Sequence, residues 1–178
     1  PAAAALAVDH LVAAGHRSLG MVGHAAVSYE QSNFPPRVRA GFRKQADAAA
    51  ISHDFRTTSG RATPSESVRA ATAELLDGGA TGLLLHCGQD AHADVLTEIA
   101  SRGLRIPEDV SLVSVASTFD TTEFAVAIDA IPLIPQASCD LAVELAIQSL
   151  DEKKPEPGIY FIAPTYVAQG SVAGPKTV

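Results

Sequence analysis

The chain has 178 residues, of which 47% are hydrophobic, and its formal net charge is −7. This length is enough for one ordinary domain or two small lobes, and the apolar content excludes a disordered chain. The negative charge argues against direct binding of nucleic acid phosphates, and no apolar run approaches the ~20 residues of a membrane-spanning helix.

Helical and strand patterns alternate along the sequence. Ala4, Val8 and Leu11 lie on one helical stripe, and Gly15 is a natural C-terminal stop. The predicted strands are residues 18–23, 53–58, 81–87 and 110–116, with one or two closing strands within 159–168. The other predicted helices are residues 38–49, 64–77, 91–102 and 136–151.

This alternation predicts an α/β fold in which a parallel sheet is covered by helices on both faces. Ligands of such sheets bind beyond the carboxyl ends of the strands. The residues that follow Gly23, Thr58, Cys87 and Ala116 are therefore where we expect a functional site.

Arg37 and Arg39 occupy the expected first turn of a helix, at the edge where ligands bind. Cations are unfavourable there because the helix dipole makes this end positive. The two positions lie about 200° apart around a helix, so only one of them can face a cleft. A guanidinium suits a ligand carboxylate or a pair of hydroxyls, and the alternative is a solvated surface arginine.

The segment HCGQDAHAD at residues 86–94 follows a buried strand and opens a helix. Asp90 can cap that helix or bind a polar ligand. His86, Cys87 and His92 invite a metal interpretation, but adjacent strand residues point to opposite faces and no second ligand cluster exists. We therefore expect neither a metal nor a cofactor.

The sequence contains no motif that argues for catalysis. No serine lies in a G-x-S-x-G turn, and phosphate-binding glycine loops are missing. An enzyme such as a small hydrolase or kinase is therefore not expected. The two cysteines, Cys87 and Cys139, are too few for a disulfide framework and are expected to be reduced.

Four segments occur together in a distinctive order. They are HLVAAGHRSLGMVG at 10–23, RVRAGF at 37–42, GLRIPEDVSLVSV at 103–115 and IYFIAPTYVAQGS at 159–171. In combination they resemble the effector-binding region of the lactose-repressor/galactose-repressor family of bacterial transcription regulators. The resemblance covers nearly the whole chain.

The resemblance implies a fold and a set of partners. Family members have two Rossmann-like lobes joined by three crossovers, as in periplasmic sugar-binding proteins, with an effector between the lobes. The implied division gives residues 1–16 and 128–154 to the N-terminal lobe and residues 17–127 and 155–178 to the C-terminal lobe. A cytoplasmic homodimer is implied, which contacts operator DNA through an N-terminal headpiece that this sequence lacks, as it lacks the first strands.

The resemblance also implies candidate ligand contacts. The family places an arginine near the G-F pair, which favours Arg39, with Arg37 in reserve, although Val38 holds the position that is arginine in many members. Gln89 and Asp90 match an Asn-Asp pair of the family. Ala116 and Ser117 fall where many members carry G-[FY]-D-D, and Ala116 cannot accept a hydrogen bond through its side chain.

The resulting prediction is an effector-binding and dimerisation region that senses a small polar metabolite. The missing aspartate argues against a sugar bound in the family's usual way. The alternatives are a different polar or acidic metabolite, with Ser117 or Asp120 as a substitute contact, and a regulator that has lost effector control. The competing hypothesis is a solute-binding protein of a transport system with the same lobes.

Overall fold

The computed structural model describes residues 1–58, 64–116, 126–133, 135–150 and 155–176. Six helices and five strands occur in this part of the chain. The helices are α1 (Ala2–Ala13), α2 (Ala26–Gln31), α3 (Phe34–Ala48), α4 (Pro64–Asp77), α5 (Gln89–Ser101) and α6 (Pro135–Gln148). The strands are β1 (Ser18–Ala25), β2 (Ser52–Thr58), β3 (Gly82–Leu85), β4 (Ser111–Ala116) and β5 (Asp129–Pro132).

The five strands form one parallel sheet in the order β2-β1-β3-β4-β5. The registers are fixed by pairs such as Leu19 with Gly82 and Leu84 with Val113. All four residues of β3 are buried, as expected for a strand at the centre of a sheet with both faces covered. The predicted α/β fold with a parallel sheet is confirmed.

Each face of the sheet carries its own layer of helices and its own apolar core. On one face α1 and α3 bury Leu11 and Phe42 against Met21 of the sheet. On the other face α4 and α5 bury side chains such as Val68 and Ile99. The β1–β2 connection, which contains α3, therefore lies on one face of the sheet, and the β3–β4 connection, which contains α5, lies on the other.

Two local expectations are wrong. The strand predicted for residues 18–23 continues to Ala25, and the helix α2 follows directly, in a stretch for which the sequence predicts neither helix nor strand. The closing strands expected in residues 159–168 reduce to one antiparallel bridge between Ala130 and Val167. Hydrogen bonds from residues 166–171 to the side chain of Asp129 hold this part of the chain against the sheet in place of a strand ladder.

Helix α6 and the segment after it leave a large apolar surface exposed. Val143, Ile147 and Ile159 are 59%, 59% and 83% exposed.

Helix α1 and strand β5 lie within the same α/β body as β1 to β4, although the predicted division gives both to the N-terminal lobe. The division of the whole chain between two lobes stays a prediction. Within the described residues, no helix has the length and apolar character needed to cross a membrane.

Candidate functional site

The candidate site lies where β1 and β3 end side by side. From β1 the chain leaves toward β2 through α3 on one face, and from β3 it leaves toward β4 through α5 on the other. Such a topological switch point opens a crevice at the carboxyl edge of a parallel sheet, and ligands bind there. His24 near the end of β1 and His86 just after β3 occupy this position, and their rings meet edge to face with centroids 4.7 Å apart.

His86 is a buried polar residue at this crevice. Its side chain belongs to a residue that is 1% exposed, and its backbone N–H donates to the carbonyl of Val22 at 2.9 Å. Burial, helped by the neighbouring His24, lowers the pKa of His86 to about 3, so its ring is neutral at pH 7. The Nδ1 atom has no hydrogen-bond partner among the described residues. A buried polar atom without a partner is uncommon and is frequently met by a ligand or an ordered water.

An aromatic cluster built on α2, α3 and β2 borders the crevice. Tyr29 and Phe55 meet edge to face with centroids 5.4 Å apart, and burial raises the pKa of Tyr29 to about 12. The guanidinium carbon of Arg39 lies 4.2 Å from the centroid of the Phe55 ring. Gly23 makes this packing possible, because a Cβ there would come within 2.3 Å of the Tyr29 hydroxyl oxygen.

Two hollows open at this edge, one on each face of the sheet. The larger cavity has a volume of about 510 Å³ and lies on the α1 and α3 side, between the starts of those helices and the end of β5. It is lined by Phe34 and Val38 of α3, by Leu133, by Ser138 of α6 and by residues 161–165, together with residues 1–3, Pro132 and Ala137. Phe34 also touches His86, with ring centroids 5.5 Å apart.

The smaller cleft, about 190 Å³, lies on the α4 and α5 side. His24, Thr58, Cys87 and Asp90 line it, together with Asp94 in the second turn of α5. The Ser65 hydroxyl donates to Asp94 across the cleft at 2.5 Å. Burial raises the pKa of the Cys87 thiol to about 12, which keeps it protonated and unreactive at neutral pH.

Two of the predicted site residues, Asp90 and Ala116, lie at this edge of the sheet. Asp90 lines the smaller cleft, and Ala116 is the last residue of β4, half-buried at the same edge. Gln89 is the first residue of α5, and its side chain lies outside the described part. Ser117 and Asp120 also lie outside the described residues.

The two arginines are exposed on α3, and neither is among the residues that line the two hollows. Helix α3 begins at Phe34, so Arg37 is its fourth residue and Arg39 its sixth. Arg37 therefore lies at the end of the first turn and Arg39 in the second, so the prediction that both occupy the first turn is wrong for Arg39, and the conflict of its charge with the helix dipole is small. Val38, between them, is 3% exposed and faces the larger cavity.

The histidines and cysteines do not assemble into a metal site. His92 lies on α5, where its ring nitrogens are 2.9 Å from the carbonyl oxygen of Gly88 and 2.9 Å from Oγ of Ser114. Among the residues that the structure describes, no group of three or more His, Cys, Asp or Glu could hold a metal ion. Cys87 is buried and Cys139 exposed, and both are free thiols, as expected.

Sequence reasoning missed three residues of this edge, His24, Tyr29 and Phe34. His24 directly follows the predicted strand that ends at Gly23, so its position already pointed to the ligand edge. Tyr29 and Phe34 lie in a stretch whose Ser, Asn and Pro content resembled a loop. Nothing in that composition indicates that α2 folds back and brings an aromatic ring against Gly23.

Comparison with known proteins identifies related sequences and structures. The sequence profile of the family described as "Periplasmic binding protein-like domain" matches residues 8–172. No protein in a search of curated sequences matches the chain.

Several solved structures share the fold. A LacI family transcriptional regulator from Bifidobacterium animalis is 20% identical with a TM-score of 0.77, and 97% of this chain covers 63% of that one. The dimeric Lac repressor is 20% identical with a TM-score of 0.76, with 98% and 62% covered. A LacI family regulator from Enterococcus faecium with bound ribose is 21% identical with a TM-score of 0.71, with 98% and 64% covered. The chain thus spans less than two thirds of the length of these structures.

Proposed function

The chain belongs to the periplasmic binding protein-like domain family, and from this premise we propose that it is the effector-binding region of a bacterial transcription regulator. It binds a small molecule at the carboxyl edge of its sheet, and it does not catalyse a reaction. The observation that carries the proposal is the crevice at the β1/β3 switch point, formed in a chain whose family match covers residues 8–172.

The names of similar structures support regulation over transport. Those with the same fold are described as transcriptional regulators, one with bound ribose and another, from Arthrobacter, in complex with lactose. We propose that this chain likewise binds a small-molecule effector, forms a homodimer and is located in the cytoplasm. Contact with operator DNA is then made by a headpiece outside this sequence, because a chain of net charge −7 is poorly suited to bind phosphates itself.

The predicted contacts form part of the proposal. Asp90 has the best support, because it opens α5 beside the smaller cleft, where its carboxylate can accept a hydrogen bond from a ligand. Arg39, Arg37 and Gln89 remain predicted contacts, as do Ala116 and Ser117. The predicted division assigns α6 to the N-terminal lobe, and packing against other parts of that lobe would explain the exposed apolar side chains of this helix.

Transcript measurements distinguish a regulator from a transport protein. In the source bacterium, deletion of the gene should change the transcript level of a small set of genes, and a small molecule should reproduce that change in the wild type. Loss of uptake of one solute with unchanged transcripts would instead support the solute-binding hypothesis. Purified protein should show a thermal shift with the same small molecule.

A further inference from the structure

Strand β2 forms one edge of the sheet, because it pairs only with β1 among the strands that the structure describes. The backbone N–H of Ser52 donates to the carbonyl of Arg17, so the even-numbered residues of β2 face β1. Backbone groups of successive strand residues point to opposite sides, so those of His53, Phe55 and Thr57 face outward. Such a row of outward N–H and C=O groups is a template on which another strand can pair.

Two side chains of β2 itself occupy the middle of this edge. The backbone N–H of Phe55 donates to Oδ1 of Asp54 at 2.7 Å, and the carbonyl of Phe55 accepts from Nη1 of Arg56 at 3.0 Å. The same Nη1 donates to Oδ1 of Asp54 at 2.6 Å, which joins the two side chains. Both backbone groups that Phe55 would offer to another strand are therefore already hydrogen-bonded.

The guanidinium of Arg56 is held in this position from a second element. Its Nε donates to Oε2 of Glu74 on α4 at 2.6 Å, so carboxylates fix it on two sides. The ion pair between Asp54 and Arg56 adds little to stability, because the two side chains are 56% and 35% exposed. The arrangement therefore matters more for the strand edge than for the free energy of unfolding.

Phe55 is the residue on which pairing of this edge with a second copy depends. Two β2 strands related by a two-fold axis run antiparallel, and their outward residues pair with each other. With His53, Phe55 and Thr57 facing outward, every register that pairs more than one of them per strand uses Phe55. Side chains that occupy the N–H and C=O groups of Phe55 therefore block all of these registers.

A blocked edge has a consequence for the assembly of the protein. A chain that pairs with one copy through one two-fold surface, and with another copy through β2, forms an open filament unless the two axes are arranged to close a ring. The homodimer of the proposed function needs only one such surface. An unblocked β2 edge would add a second one.

We propose that the side chains of Asp54 and Arg56 form an edge cap, which prevents β2 from pairing with β2 of a second copy and restricts self-association to other surfaces of the chain. Glu74 is a positioning residue for this cap. The inference goes beyond the proposed function and does not depend on the effector, because it follows from the contacts of β2 and α4 alone.

A matched pair of double variants tests the edge cap. Asp54→Ala/Arg56→Ala, the cap variant, removes both side chains from the strand edge. Asp77→Ala/Arg102→Ala is the control, because Arg102 likewise bridges two carboxylates, those of Asp77 and Glu98, but lies away from any strand edge. Each double variant removes one positive and one negative charge, so the net charge stays the same.

Sedimentation velocity at several protein concentrations measures self-association. We expect the wild type and the control to behave alike, and the cap variant to reach the same average mass at about 10-fold lower concentration, because the two backbone groups of Phe55 become available. In the associated cap variant, the amide hydrogens of His53, Phe55 and Thr57 should exchange more slowly than in the dilute protein.

A measurement on the unchanged protein tests the cap even if the cap variant does not fold. Of the three outward amides, only that of Phe55 has a hydrogen-bond partner among the described residues. Relative to its intrinsic rate, the Phe55 amide should therefore exchange about 2- to 10-fold more slowly than those of His53 and Thr57. Amide exchange followed by NMR gives the three rates.

Four results would overturn the inference, and all of them leave the proposed function unaffected. The cap variant could sediment as the wild type does at every concentration. Both double variants could associate equally, which would assign the effect to the loss of any ion pair. The cap variant could associate without slower exchange in β2, which would place the contact on another surface. Finally, the Phe55 amide of the wild type could exchange as fast as those of His53 and Thr57.

Discussion

At the scale of single residues, Asp129 holds the C-terminal segment on the sheet. This residue at the start of β5 is 3% exposed. Its Oδ1 accepts backbone N–H groups of Gln169, Gly170 and Ser171 at 2.6, 2.7 and 3.0 Å, and its Oδ2 accepts the Tyr166 hydroxyl. A buried carboxylate is stable only with such a set of donors, so the four contacts act together.

We expect Asp129→Asn to lower the free energy of unfolding by about 2 kcal/mol, because hydrogen bonds to a charged group are lost. Urea unfolding followed by circular dichroism measures this. Asp140→Asn is the matched control, since Asp140 lies exposed on α6 and accepts one hydrogen bond from Gln136. It should change the unfolding free energy by less than about 0.5 kcal/mol. Equal effects of the two variants would contradict the role given to Asp129.

The same carboxylate predicts a pH dependence. Burial alone would raise the pKa of Asp129, but the hydrogen bonds from Tyr166 and from three N–H groups hold it below its ordinary value. A lowered pKa in the folded state stabilises the protein above the unfolded pKa of about 3.9, and this contribution is lost as pH falls through the folded pKa. The stability difference between wild type and Asp129→Asn should therefore shrink below about pH 4. A difference that stays constant from pH 7 to pH 2 would contradict the assignment.

The sequence predicts that Arg39 binds the ligand, and its position over the Phe55 ring indicates that it also stabilises the fold. As a ligand clamp, its replacement by alanine should weaken effector binding by roughly 2–5 kcal/mol. As a cation on the face of Phe55, its loss should lower the unfolding free energy by about 0.5–1 kcal/mol. Both quantities can be measured on folded Arg39→Ala, with Arg43→Ala, an exposed arginine of the same helix that is not a predicted contact, as control. Unchanged affinity would remove Arg39 from the binding site.

At the scale of secondary-structure elements, the end of β1 depends on a glycine. A Cβ on Gly23 would lie 2.3 Å from the Tyr29 hydroxyl oxygen and 2.6 Å from a ring carbon of Phe55. Both rings belong to neighbouring elements, α2 and β2, so the clash cannot be relieved by one side chain alone. Gly23 therefore sets how closely α2 folds over the sheet edge.

We expect Gly23→Ala to lower the free energy of unfolding by about 1–3 kcal/mol through overpacking. Gly88→Ala is the control, because a Cβ there meets no atom within 4 Å and the backbone φ of −62° suits any residue. Thermal unfolding of the two variants provides the comparison. A Gly23→Ala protein as stable as Gly88→Ala would show that α2 moves freely.

Elements with strong periodicity could be predicted from the sequence, and tertiary contacts could not. The apolar run of β3 and the stripe of Val38 and Phe42 each determine an element, because burial on both faces or on one face fixes the pattern. The role of Asp129 depends on N–H groups about 40 residues away. No local pattern records such a pairing, and the same is true of Phe34 and His86, which are 52 residues apart.

At the scale of the whole molecule, the apolar residues are divided between a closed core and an open surface. The two cores enclose the sheet on both faces, with Phe42 and Ile99 each 1% exposed. Helix α6 carries Val143 and Ile147 into solvent instead. A surface of this kind is typical of a segment that packs against other protein, and the predicted division, which places α6 in the N-terminal lobe, agrees with this.

Hydrogen exchange should reveal this difference within one molecule. An isolated helix of 14 residues is marginal in water, so α6, which gains little from tertiary burial, should exchange its amide hydrogens far faster than α3. Mass spectrometry of peptides from each helix measures the two rates. Helix α3, whose Val38 and Phe42 are buried, is the internal control because its amides should open only with global unfolding. If the amides of α6 were as protected as those of α3, and stayed so on dilution, this would contradict an exposed apolar face on α6. Protection that falls on dilution would instead show that a second copy covers α6, because only association depends on concentration.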